Sequence, residues 1–546
     1  MYKDLKKIIK GDLWDDAGTL SKFSRDASLF EVGPEVVISP KDVRDVENIV
    51  RFVNGNLRTY PNLSITARSA GTDMTGGPLS DSIVLDFLRY FNVTKDVSED
   101  GVAVVEPGVF YRDFEKETLR QDYILPSYPA SREICALGGM INNNSGGEKS
   151  LIYGKTEKYV KELKVVLSDG REYSLKKLNR EELSEKMKQI DFEGGVYRAL
   201  FGILESNYKV VKDARPSVSK NSVGYNIWDV WDRETGEFDM TKLFVGAQGT
   251  LGIMTEATLG LVKVKPRSGM LVVFMKDLSG LPGLVNKILE YQPTSLESFD
   301  DHTLRLFLRF LPGFVKLLGA RNIFSLLFRF VPDFLTILKI GMPKLVLLVE
   351  FEDDSQAEVD KKLQELNKTL SEDGVVTRIA KTKAEADKYW TVRRESFNLL
   401  RHKVLNKQTA PFIDDIIVKP EFFPEFLPEL YQILDKYNLL YTIAGHMGDG
   451  NIHIIPLMDL KDEKERGKIQ PAQREVYDLV LRYKGSISAE HNDGLVRGPY
   501  ISMMFGEEVF NIFRDIKKVF DPNNIFNPHK KTDSSWEYSF AHIIKP

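Results

Sequence analysis

Three of the seven histidines in this chain of 546 residues sit in two short motifs near its C-terminal end. AGHMGDGNIHIIP (444–456) reads as strand, tight Gly-Asp-Gly-Asn turn, strand, with His446 closing the first strand and His453 early in the second. Facing positions of such a hairpin approach to about 5–8 Å, a gap that one metal ion bridges. The second motif, SAEHNDG (488–494), puts Glu490 beside His491 ahead of a glycine turn. Two neutral imidazoles and one carboxylate suit Zn²⁺ or a similar divalent ion, with positions left open for substrate. The remaining imidazole, whose pKa lies near neutrality, suits a general base.

A second set of residues carries chemistry through backbone instead of side chains. ITARSAGTDMTGGPL (65–79) follows a strand pattern and holds Gly71, Gly76 and Gly77 among small hydroxyl residues. ALGGMINNNSGGEKSLIYGKTEKYV (136–160) repeats the composition with Gly138, Gly139, Ser145, Gly146 and Gly147. FVGAQGTLGIMTEATL (244–259) places Gly246, Gly249 and Gly252 between strand-like runs. Such loops bring successive N–H groups onto an anion. Three in one domain suit a large, flat, doubly phosphorylated ligand. None is a G-x-G-x-x-G or Walker motif.

These motifs need elements to hold them. From Val36 to about Lys265, short strand patterns such as SIVLDF (82–87), VAVVEP (102–107) and LKVVLSDG (163–170) alternate with helical spacing, as in KDVRDVENIVRFVNG (41–55). That alternation means α/β or α+β. LVVFMKD (271–277) opens a second domain, LVLLVEFED (345–353) continues it, and the rhythm runs to IHIIPL (452–457). The expected divisions are a helical lead-in at 1–34, a first domain at 35–268, a second at 269–500, and a helical segment at 501–546 that returns to the first. With 42% hydrophobic and 28% charged residues the chain supports a real core. A net charge of −4 gives no global field for nucleic acid. The single cysteine, Cys135, leaves this chain no internal disulfide, Cys-ligated zinc or iron–sulfur cluster. The opening MYKDLKKIIKGDLWDD lacks the apolar core of a signal peptide, and no uncharged apolar run approaches 18 residues. The cytoplasm is the expected compartment.

The three glycine loops, in this order, resemble the FAD-binding domain of the vanillyl-alcohol-oxidase-like flavoproteins. The resemblance is to the FAD-linked oxidase branch that includes D-lactate dehydrogenase, the glycolate oxidase flavin subunit and D-2-hydroxyglutarate dehydrogenase, and it covers roughly residues 35–530. It implies an α+β fold: a two-subdomain, PCMH-type FAD-binding domain, an α+β substrate (cap) domain with an antiparallel sheet, and a C-terminal helical segment. By resemblance Ala67, Arg68, Ser69, Ala70, Gly71 and Thr72, with Ser145, Gly146 and Gly147, hold the FAD diphosphate. Gly138, Gly139 and Gly249 belong to the same cradle, and Ile253 lies beside the adenine end. SAGTD departs from the usual triple-glycine pattern, and Ala247-Gln248 from the usual Ser-Glu. No histidine stands near Thr72 or Asp73, the position members use to bond FAD covalently, so non-covalent FAD is expected.

Gly-His-x-Gly-Asp-Gly-Asn-x-His and Glu-His are signatures of the same branch. In its metal-dependent members His446, His453 and Glu490 match metal ligands, His491 the base, and Asn451 a residue that helps hold substrate. Trp-x-x-Arg presents the family's carboxylate-binding arginine, so Arg393 takes that role with a fork suited to bidentate bonds, although the assisting threonine aligns with Phe397. FIDDIIVKP (412–420) matches a strand leading to the site, with Lys419 as a second candidate cation. The implied reaction takes a small D-2-hydroxy acid to its 2-keto acid. Metal and Arg393 fix the substrate, His491 takes the hydroxyl proton, and the α-hydrogen passes as hydride to flavin N5. A carbanion route stays open. Electrons then pass to a quinone, an electron-transfer flavoprotein or a separate iron–sulfur protein.

Two rival readings remain: flavin-dependent alkyl transfer without net redox, and a flavin-binding protein that has lost catalysis. The first predicts consecutive histidines where this chain has Ala489-Glu490-His491-Asn492. Residues 302–341 stand apart, with six Lys or Arg against the single acid Asp333. Short Phe- and Leu-rich cationic helices suit peripheral docking on the inner face of an anionic membrane. A buried excursion of the cap or a homodimer contact are the alternatives.

Overall fold

A computed structural model describes the chain except residues 302, 306–329, 332–337, 404–406 and 546 and the side chains of 395–403. Most of the basic segment at 302–341, including Arg309, Lys316, Arg321 and Arg329, therefore lies outside the described residues. Arg305 is described, and its guanidinium pairs with Asp301 at 3.3 Å.

The first sheet has β1 (Asp12–Trp14), β2 (Val36–Ser39), β3 (Ile65–Arg68) and β4 (Ile83–Asp86) in the order β1-β2-β4-β3. Strands β2, β4 and β3 are parallel. Helix α1 (Val43–Asn56), capped by the Asp42 carboxylate on the Asp45 N–H, makes one crossover and buries Val46, Ile49, Val50 and Val53 at helical spacing. The lead-in is not purely helical: Asp12–Trp14 pairs antiparallel with β2 through Trp14 and Val37.

The second sheet contains β5 (Thr94–Val97), β6 (Val102–Val105), β7 (Val160–Val166), β8 (Glu172–Leu178), β9 (Phe238–Asp239) and β10 (Ile253–Gly260), ordered β9-β8-β7-β10-β6-β5. Two glycine segments are more ordered than loops. Leu137–Asn143 forms a short helix, α2, ended by Asn144 in the left-handed region. The run before Gly246 is a helical turn, Thr241–Phe244, where a strand was expected.

The third sheet is antiparallel and eight-stranded. Its strands are β11 (Arg267–Met275), β12 (Ser295–Asp300), β13 (Leu345–Asp353), β14 (Val376–Ile379), β15 (Gln408–Thr409), β16 (Ile416–Ile417), β17 (Leu440–His446) and β18 (Asn451–Met458). Their order is β14-β11-β13-β12-β17-β18-β15, with β16 on the flank of β18. Period-2 alternation splits β11: Leu271 and Val273 face the main core, Met270, Val272 and Phe274 a smaller one. Helix α3 (Gln356–Glu372) covers the main-core side. Helix α4 (Lys383–Lys403) covers the other with Tyr389, Trp390 and Val392, which turns Arg393 and Arg394 toward the space between the sheets. The last long helix, α5 (Ile501–Phe520), and the tail behind it pack on the first part of the chain. Ile525 O accepts from Ile65 N–H at 2.7 Å, and the Lys517 ammonium donates to Thr250 O at 2.7 Å.

Candidate active site

A single cavity of about 840 Å³ runs from the glycine segments to the histidine motifs. One end is lined by Ala67 to Asp73, Gly138, Gly139, Ser145, Gly146 and Gly249, the other by Arg393, His446, His453, Glu490 and His491. That volume lies in the upper part of the range for cofactor-sized ligands.

At the glycine end the wall is backbone. Gly71 and Gly249 have φ of +66° and +68°, values that side-chain-bearing residues rarely adopt. A Cβ on Gly138 would stand 2.6 Å from both the Pro107 Cβ and the Ser69 hydroxyl, so only glycine lets these segments close. Side chains stitch the three segments together. Asn143 Nδ2 donates to Asp73 Oδ1 at 2.7 Å, Gly249 N–H to Asn142 Oδ1 at 3.0 Å, and Asn527 Nδ2 to Gly77 O at 2.9 Å and Gln248 O at 2.7 Å. Small residues and open backbone along one wall fit a ligand bound through its diphosphate, as FAD is. Gln248, a departure from the family pattern, has a structural task here, accepting the Gly494 N–H on its Oε1 at 2.9 Å. Arg68 lines the cavity, but its guanidinium is spent on Phe23 O and Arg25 O in the lead-in. Gly147 and Ile253, both expected at the cofactor, are not among the lining residues. The Gly147 N–H goes to Ser150 Oγ at 2.7 Å, and Ile253 is buried in register with Val166.

At the other end the geometry belongs to side chains. The hairpin of β17 and β18 pairs Ala444 with His453 and His446 with Asn451. The rings of His446 and His453 lie 5.2 Å apart, those of His453 and His491 5.0 Å. Glu490 Oε1 is 2.9 Å from His446 Nε2 and 3.5 Å from His453 Nε2. Its other oxygen is 3.4 Å from the buried Lys220 ammonium, which also meets Asp449 at 2.9 Å. Asp414 serves two rings, with Oδ1 3.2 Å from His453 Nδ1 and Oδ2 2.7 Å from His491 Nδ1. Glu297, on β12, touches His446 Nδ1 at 2.5 Å through Oε1 and Arg393 at 3.3 Å through Oε2.

Both nitrogens of His446 and His453 are thereby committed, and the Nε2 atoms of this pair converge with Glu490 Oε1. These atoms suit a divalent cation. A second donor set, Asp415, His453, Glu490 and His491, lies within 4.8 Å of itself. Asp415 is already the acceptor for Ser488 Oγ and for the backbone N–H groups of Glu490 and His491, so it serves better as a brace than as a ligand. Burial opposes charge throughout the cluster, yet the charges win. His446 and Lys220 hold the Glu490 carboxyl well below its ordinary range, and the carboxylates around His453 raise it to about 10. A divalent ion on these atoms would take the place of the protons that the surrounding carboxylates otherwise hold on the two rings.

Arg393 lines the cavity, and its Nε is buried with no hydrogen-bond partner among the described residues. Arg394 is bound bidentately by Glu148, with Nη2 2.6 Å from Oε1 and Nε 3.2 Å from Oε2, which ties α4 to the segment after α2. Asn451 does not reach the cavity. It is buried and gives its amide to Asp415 Oδ1 at 3.0 Å and Ile416 O at 3.1 Å. Lys419 is also absent from the lining. The Phe397 side chain lies outside the described residues. Glu297, Asp414 and Lys220 escape a motif reading. Glu297 had one signal, an acid in the middle of the strand SLESFD, whose six residues are all buried, and Asp414 stands in the quoted FIDDIIVKP.

The chain matches known proteins along most of its length. Residues 34–176 match the family described as "FAD binding domain", and residues 268–531 match "FAD linked oxidases, C-terminal domain". A D-2-hydroxyglutarate dehydrogenase of Escherichia coli (strain K12) is 27% identical over 93% of this chain and 49% of its own length. This chain thus spans about half the length of the first curated relatives it matches. The glycolate oxidase subunit GlcD of Bacillus subtilis (strain 168) is 26% identical over 93% of this chain and 91% of its own. Among solved structures, an alkyldihydroxyacetonephosphate synthase superposes with a TM-score of 0.66 at 16% identity, covering 97% of this chain and 86% of that one, a likeness of fold alone.

Proposed function

This chain belongs to the FAD linked oxidases, and from that premise we propose that it oxidises a small D-2-hydroxy acid, of the D-lactate, glycolate or D-2-hydroxyglutarate kind, to the 2-keto acid. One observation carries the reading: the glycine segments and the cluster of Arg393, His446, His453, Glu490 and His491 line the same cavity. The glycine segments would hold FAD non-covalently, and it would supply the two-electron oxidant for the α-hydrogen and its electron pair. A divalent ion on His446, His453 and Glu490 would supply the positive charge that acidifies the substrate hydroxyl.

The chain's own residues do the rest. Arg393, which lines the cavity, grips the substrate carboxylate, while Glu297 holds one edge of its guanidinium. His491 takes the hydroxyl proton at Nε2, because Asp414 occupies Nδ1. The same carboxylate holds His453 by its Nδ1, so the base and one ligand are aimed by one side chain. The residual path of electrons leads to a quinone, an electron-transfer flavoprotein or a separate iron–sulfur protein. No helix of the described residues is long and apolar enough to cross a membrane.

The test is to purify the protein, release FAD by denaturation, and assay a dye acceptor with D-2-hydroxy acids before and after chelation. FAD recovered near one per chain, 2-keto acid formed, and activity lost with the metal would support all three parts. A protein that cannot be reconstituted with FAD would sink the reading, and full activity in metal-free protein would remove the ion.

A further inference from the structure

We propose that the lead-in turn of Arg25, Asp26 and Ala27 forms a further wall of the cofactor site, and that the C-terminal tail, residues 536–544, is the clasp that keeps this wall closed on bound FAD. The inference rests on the reading that the glycine end holds FAD, and it adds a part to that site. Residues 1–33 and 532–546 both stand outside the two family matches.

The lead-in turn lies against the first glycine segment. Arg25, Asp26 and Ala27 line the cavity together with Ala67 to Asp73. Hydrogen bonds fix them there. Ala27 N–H donates to Asp73 O at 2.9 Å, Gly76 N–H donates to Asp26 Oδ2 at 3.1 Å, and the Arg68 guanidinium donates to Arg25 O at 2.7 Å. The other Asp26 oxygen accepts the Ser28 N–H at 2.9 Å, so one carboxylate sets both the shape of the turn and its seat on the glycine segment. The turn also closes on itself. Val32 N–H donates to Ser24 O at 2.9 Å, and Arg25 and Glu31 form an antiparallel bridge. Residues 25–27 thus belong to a closed loop whose other limb runs through Leu29, Phe30 and Glu31.

The tail holds that limb. Helix α6 (Trp536–Ala541), capped by the Ser535 side chain on the Tyr538 N–H, delivers the chain to it. Glu31 N–H donates to His542 O at 2.9 Å, Ile544 N–H donates to Leu29 O at 3.0 Å, and Phe30 and Ile543 form an antiparallel bridge. Leu29, Phe30, Ile543 and Ile544 are all buried, the first three within the main core. The Phe30 ring also closes on Gly76, where an added Cβ would stand 3.0 Å from it. Ser539 Oγ anchors α6 by donating to Leu495 O at 2.8 Å, in the helical turn that follows the Glu490-His491 motif. A wall must yield before a ligand held behind it leaves, and every contact that opposes opening slows release. The tail supplies such contacts from outside, since none of residues 536–545, all of them described, lines the cavity.

The experiment measures amide hydrogen exchange of wild-type protein with and without FAD, and FAD release from wild type and Ile543→Asp. On loading, the amides of Glu31 and Ile544 should slow more than those of α3, which contributes nothing to the cavity lining. In Ile543→Asp a carboxylate replaces a buried side chain and drives the tail off. FAD should then leave about tenfold faster or more, the scale of two lost hydrogen bonds, as timed gel filtration of loaded protein reads. Amides of Glu31 and Ile544 that exchange alike with and without FAD overturn the inference, as does an Ile543→Asp protein that keeps FAD as long as wild type. Both results leave the flavin reading intact. A wild-type protein that takes up no FAD overturns the flavin reading and the inference with it. The exchange measurement decides the matter even where the variant does not fold.

Discussion

The two ends of the cavity are built on opposite plans. At the glycine end the ligand meets backbone, and side chains such as Asn142, Asn143 and Asn527 act behind it as stitches between segments. At the histidine end the polar groups belong to side chains, and each is aimed by a charged partner from elsewhere in the chain: Glu297 from β12, Asp414 from just ahead of β16, Lys220 from the first half of the chain. The first plan depends on what is missing, namely Cβ atoms. The second depends on charges that balance in a dry place. The first should therefore tolerate exchange of small side chains, as at Ser69 and Ala70, and the second should not.

Substitutions can break that contrast. The largest effect is expected from Gly138→Val, whose side chain would displace Pro107 and Ser69. The purified variant should lack the yellow flavin and all activity, and an absorbance spectrum reads both. Glu490→Gln comes next. It strips the carboxylate from His446, His453 and Lys220, leaving a buried ammonium with Asp449 alone. Activity should fall by about 10²-fold or more with FAD retained, as a steady-state assay on flavin-normalised protein would show. Asp414→Asn keeps the size of the side chain but removes the charge that orients two rings, and a loss of about 10- to 100-fold in kcat is expected at full flavin occupancy. Equal losses of flavin in all three variants would dissolve the distinction between the ends.

The smallest effect lies at the seam between them. Burial, then the charges of Glu352 and Glu148, push the Glu350 carboxyl up to about 8. A carboxyl raised in the folded state holds a proton that the unfolded chain has released, so its contribution to stability is lost as pH rises from about 4.5 to 8. Glu350→Gln should raise the melting temperature above wild type at pH 9 and give no gain at pH 5.

How much was legible follows the same divide. The glycine segments, the hairpin of His446 and His453, the Glu490-His491 pair and the α+β architecture are local patterns, and the family match bears out the fold and the flavin domain. The alternation of β11 and the helical spacing of α1 could be read because burial on one face repeats within a few residues. What could not be read was which way a motif residue faces. Asn451 stands in the signature yet turns inward to brace Asp415, and Gly147 is needed for a close backbone approach, away from the cavity. Glu297 and Lys220 could not be found from spacing, because they are 149 and 270 residues from the groups they touch. Long-range charge pairing leaves no period in a sequence.

On the proposed reaction the two ends of the cavity act on one substrate, with His491 as the base. The most direct test follows the flavin absorbance anaerobically after adding D-lactate to wild type and to His491→Ala, each loaded with FAD. The predicted result is loss of the flavin band in wild type and a rate reduced by about 10²-fold or more in the variant. Bleaching of both proteins at the same rate, or no bleaching of wild type by any D-2-hydroxy acid, would contradict it.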